Sequence, residues 1–87
     1  MAATRTANAV WENDLLRGQG SVQGTSGGLP KVQVSWSART EASGGRTSPE
    51  ELLAAAHAAC YSMALSAGLG RAQHPPQKLE VSAAATF

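Results

Sequence analysis

The stretch that most constrains this chain is Ser48–Gly70, SPEELLAAAHAACYSMALSAGLG. Its start has the features of a helix N-terminus. Ser48 can accept from first-turn N–H groups, and Pro49 sits where a missing N–H costs nothing. Glu50 and Glu51 place negative charge against the positive end of the dipole, and Ser48 with Glu51 makes an S-x-x-E capping box. Gly68 and Gly70 are the C-cap candidates, with Pro75-Pro76 beyond. No Asp, Glu, Lys or Arg falls between Glu51 and Arg71. A helix apolar nearly all round has to be covered nearly all round, by a sheet, another helix or a second subunit. His57, Ser62, Ser66 and the many alanines leave it too weakly hydrophobic for a confident membrane span, so it reads as a core helix.

With 87 residues there is room for one domain at most. So short a chain covers a fully apolar helix poorly, and an oligomer or part of a larger domain is expected. Seven Lys plus Arg stand against six Asp plus Glu, and the basic residues do not cluster. Nucleic acid and anionic membranes are therefore not expected partners. The N-terminus lacks the apolar core of a signal peptide. The single cysteine excludes an internal disulfide and any CxxC motif, and a reducing, cytoplasmic location follows as the default.

Along the chain, Thr6–Trp11 reads as a strand, Asn13-Asp14 as a turn, and Leu15–Thr25 as a glycine-rich, irregular second strand. After a turn at Gly27–Pro30, Lys31–Ser37 alternates strictly, with Val32, Val34 and Trp36 inward. Thr40–Thr47 is a polar loop feeding the helix. Lys78–Phe87 alternates again, with Leu79, Val81, Ala83, Ala85 and Phe87 on one face, and the sequence stops without a turn. The expected order is β-β-β-α-β, an antiparallel sheet packed on a long buried helix, an α+β fold. It reads as one domain over residues 1–87, incomplete at its C-terminal end.

Cys60 is the first candidate for chemistry. A free cysteine often serves only as a small buried hydrophobe. Reactivity needs thiolate, and Cys60 lies about three turns into the helix, beyond the reach of the N-terminal dipole. A cation from elsewhere is needed: Arg39, Arg46 or Arg17, or His57 at i−3. His57, one turn from the sulfur, is poorly placed to turn its ring onto it and reads more simply as structural. Cys60, His57 and His74 are too few and too irregularly spaced for a metal site. Glu50 is fully explained as a first-turn acid, whereas Arg39, just past Trp36 at the end of the third strand, is open to two readings: a solvated strand-end arginine, or a guanidinium that reaches over the helix.

The residue pattern adds more. Thr47-Ser48-Pro49-Glu50-Glu51-Leu52, followed by Ala55–Ser66 (AAHAACYSMALS), resembles the central helix of the OsmC/Ohr family, nearest its OsmC branch. Ser48 replaces the usual Asn and keeps the capping chemistry. Trp11-Glu12, Arg17–Gly20 and the Arg39 segment also fall where that family has similar residues. The resemblance implies a thiol-dependent peroxidase for organic and inorganic hydroperoxides, needing no cofactor. It also implies an intertwined homodimer with its sites at the subunit interface. Cys60 matches the peroxidatic cysteine, Arg39 the arginine that holds the thiolate (Arg17 being the second choice), and Glu50 the acid that positions that arginine.

Ten residues of helix separate Glu50 from Cys60 by about 15 Å. Either the helix breaks or the site takes Glu50 from a second subunit. The family also has a resolving cysteine near its C-terminus, which this sequence lacks, so turnover would need an external thiol reductant. Two other readings stay open: a small-molecule binding protein of the same fold with Cys60 merely packed, and an inactive fragment lacking its second half.

Overall fold

The computed structural model describes residues 2–86. Three strands, β1 (Ala7–Glu12), β2 (Gln19–Gly24) and β3 (Val32–Val34), form an antiparallel sheet in the order β1-β2-β3. A short helix α1 (Trp36–Thr40) and a long helix α2 (Pro49–Arg71) follow. The α+β class is as expected. The chain divides into two compact units, one up to Pro49 and one from Glu50 onward.

In the first unit, the β1–β2 hairpin is in register from Ala7↔Gly24 to Glu12↔Gln19, which sets Trp11 opposite Gly20. A Cβ on Gly20 would lie 2.3 Å from the Val10 carbonyl oxygen and 2.8 Å from Cε3 of Trp11. Glycine is therefore what lets the indole lie against the neighbouring strand. Asn13 takes a left-handed φ of 72°, which asparagine tolerates. The second strand begins later than the sequence suggests, at Gln19, because Leu15–Arg17 belong to the turn that Asp14 closes by accepting the Arg17 N–H at 2.8 Å.

The third strand is shorter than its alternation predicts. Ser35, buried and extended (φ −154°, ψ 162°), turns the chain into α1 by accepting the Ala38 N–H on its hydroxyl at 3.2 Å. Trp36 thus begins a helix and does not point inward from a strand, and Arg39 lies in the last turn of α1, not at a strand end. Serine as an N-cap outcompetes the two-residue period here. Thr47 then returns to the sheet, donating its N–H to the Gln33 carbonyl at 2.8 Å in a parallel bridge with Val34.

Helix α2, all but its first residue in the second unit, starts at Pro49, with Glu50 and Glu51 in its first turn, and runs unbroken for 23 residues. It passes through both Gly68 and Gly70. Its cap is a Schellman motif one turn further on: His74 N–H donates to Leu69 O at 2.8 Å and Gln73 N–H to Gly70 O at 3.0 Å, with Gln73 left-handed at φ 65°. Residues 78–86 form no strand, although Leu79, Val81 and Ala83 are partly covered while Lys78, Glu80, Ser82 and Ala84 are exposed. A strand exists only through a partner's hydrogen bonds, and none pairs with this segment among the described residues. Phe87 lies outside the described residues.

The expected burial of the helix is not realised within one chain. No residue of α2 is buried, and among all described residues no hydrophobic side chain is. Leu53 and Met63 are 65% and 73% exposed. By length and composition α2 could also cross a membrane, a test that the core helix of a soluble protein passes equally well.

Candidate functional site

Cys60 lies in the middle of α2 and is exposed as a free thiol. Its neighbours one turn away on the same helix are Ala56 and His57 on one side and Met63 and Ala64 on the other. Ser62, two residues on, turns its hydroxyl back to donate to the Ala58 carbonyl at 2.7 Å. That internal bond satisfies the hydroxyl within an apolar surface. His57 packs toward Tyr61, with ring centroids 6.4 Å apart and planes tilted by 38°. The imidazole therefore has an aromatic neighbour at i+4.

Glu50 is in the first turn of the same helix. Because α2 is continuous, Glu50 and Cys60 of one chain are not brought together. At about 100° per residue they lie about 80° apart around the axis as well as about 15 Å apart along it.

Of the three candidate arginines, Arg17 and Arg39, which the family resemblance singles out, have different settings in the first unit. Arg17 sits in the β1–β2 loop, its Nε 3.4 Å from the Asp14 carboxylate, with its side chain 89% exposed. A pair so open to water holds the loop only weakly. Arg39 is half-buried in the last turn of α1, and its guanidinium lies over the Trp36 ring, 5.5 Å from the centroid. The positive charge at a helix C-terminus is also favourable to the dipole. The contributions of Asp14 and Trp36 escaped the sequence reading. The D-x-x-R spacing and the serine before Trp36 were their only signals.

Two further features belong to the second unit. An open groove of about 530 Å³ is lined by Ser62, Met63, Ser66, Pro76 and Leu79 among others. Among the described residues no three His, Cys, Asp or Glu side chains gather as a metal site requires.

An exposed cysteine on a long apolar helix, preceded by a paired-glutamate N-terminus, defines a thiol-bearing α+β protein. The family model described as OsmC-like protein matches residues 42–87, which include all of α2. The chain is also 43% identical over 83 residues to Peroxiredoxin OsmC of Escherichia coli (strain K12), and equally to that of Shigella flexneri. The alignment covers 95% of this chain and 57% of each relative, so the chain spans little more than half their length. This protein belongs to the OsmC-like family.

Proposed function

We propose that this chain carries the peroxidatic half of a hydroperoxide reductase, with Cys60 as the nucleophile. The observation that carries this reading is the exposed Cys60 in the middle of a helix that lies wholly within the OsmC-like match. The thiolate attacks the terminal oxygen of a hydroperoxide. The O–O bond breaks, sulfur gives up two electrons to become a sulfenic acid, and the alkoxide leaves with a proton as the alcohol. Because the sequence holds one cysteine, an external thiol completes the cycle within this chain. It condenses with the sulfenic acid to release water, and a second thiol then reduces the mixed disulfide. Arg39 is the cation assigned to the thiolate and the peroxide oxygen, with Arg17 as its alternative, and Glu50 orients the arginine.

The working unit is a cytoplasmic homodimer that draws Glu50 from the second chain. Two observations support this. The unbroken α2 keeps Glu50 away from its own Cys60, and the apolar α2 surface is uncovered in a single chain. Burying apolar side chains such as Leu53 and Met63 would supply about 25 cal/mol per Å² toward association. The test is peroxide consumption with an added dithiol. Cys60→Ser must abolish it while the helical content persists, and unchanged consumption would sink the proposal.

A second reading has its own support in the single cysteine and in the groove beside Ser62 and Ser66. It makes the chain a binding protein for a small apolar ligand. Slow alkylation of Cys60, together with saturable binding of such a ligand, would favour it.

A further inference from the structure

We propose that Trp36 is a positioning residue for Arg39, holding the guanidinium by its face so that its donors work in its own plane. This rests on the assignment of Arg39 to Cys60 given above. The argument begins with the backbone. A five-residue helix is far too short to be stable alone, yet α1 is pinned at both ends. Ser35 caps it at the start through Ala38 N–H, and the Glu41 N–H closes it onto the Ser37 carbonyl at 2.7 Å. Thr40 Oγ1 donates to the Trp36 carbonyl at 3.1 Å, and the Thr47–Gln33 hydrogen bond anchors the strand from which α1 departs.

The pinned backbone still leaves the long arginine side chain several rotatable bonds. The ring of Trp36 restrains it. At i and i+3 the two residues share a helix face, and the guanidinium carbon lies 5.5 Å from the ring centroid. Tryptophan is the strongest aromatic partner for a cation. Occupying one face of the guanidinium removes water from it without using an N–H, because all five donors lie in the plane. An arginine restrained this way presents a planar fork, which suits an anionic sulfur or a peroxide oxygen. Both Trp36 and Arg39 are only half exposed, so water screens the contact less than it screens the open Asp14–Arg17 pair.

The experiment is a double-mutant cycle in the 87-residue chain, read as the rate of Cys60 sulfenic acid formation with cumene hydroperoxide. It is accompanied by the NMR shift of the Arg39 Nε–H. Trp36→Leu is expected to slow oxidation about tenfold, equivalent to about 1.4 kcal/mol, and Trp36→Phe by less. In an Arg39→Ala background Trp36→Leu is expected to have no further effect. The Nε–H is expected upfield in the wild type, where the ring current acts on it, and shifted back in Trp36→Leu. Equal slowing by Trp36→Leu in both backgrounds, or an unshifted Nε–H in the wild type, overturns the proposal. If Trp36→Leu does not fold, Trp36→Phe and the wild-type resonance decide it. Arg39→Ala with undiminished oxidation would instead remove Arg39 from the site, a separate failure that takes the proposal with it.

Discussion

Glu50 and Cys60 ride on one unbroken helix, ten residues apart, and face directions about 80° different. If both serve one site, they come from different chains. A mixture of Cys60→Ser and Glu50→Gln chains, each inactive alone, is then expected to regain peroxide consumption. The mixed dimer holds one site with Cys60 from one chain and Glu50 from the other. No recovery after confirmed subunit exchange would place Glu50 outside the reaction or in the same chain as its cysteine.

Gly20 faces Trp11 across the β1–β2 pair, where an added Cβ would meet the Val10 carbonyl oxygen at 2.3 Å. Backbone has to move to admit even a methyl group. Gly20→Ala is expected to destabilise the protein by about 1–3 kcal/mol, read from the urea midpoint.

Ser35 decides where β3 ends and α1 begins. Ser35→Ala removes the hydroxyl that accepts from Ala38 N–H, and a loss of about 1 kcal/mol is expected. Ser35→Asp keeps an acceptor and is expected to recover most of it. If α1 matters to the site through Arg39, Ser35→Ala also slows oxidation of Cys60 more than Ser35→Asp does.

Gln73 holds a left-handed φ of 65° in the Schellman cap of α2. Glycine adopts that conformation without the Cβ penalty. Gln73→Gly is expected to stabilise the helix end by about 1 kcal/mol, visible as a higher melting temperature and slower amide exchange at His74.

The sequence shows some of this organisation directly and hides the rest for identifiable reasons. The start of α2 was legible because Ser48, Pro49 and two glutamates each act locally. Its end is less legible: Gly68 and Gly70 carry good capping chemistry, yet the helix continues to a cap on Gln73. Alternation in Lys31–Ser37 hid the switch at Ser35, where a single capping hydroxyl outweighs three more residues of strand pattern. The segment from Lys78 has the alternation of a strand but, among the described residues, no neighbouring strand to bond. Cys60 stood out as the only cysteine, set in a helix of distinctive composition. Trp36 did not, because its role depends on sharing a helical face with Arg39, and the pattern had placed it in a strand.

The most direct test of the account is the intact mass of the folded chain before and after one equivalent of an organic hydroperoxide. The account predicts the gain of one oxygen, located at Cys60 by fragmentation and absent in Cys60→Ser. A folded chain whose mass stays unchanged would contradict it and leave Cys60 a packing residue.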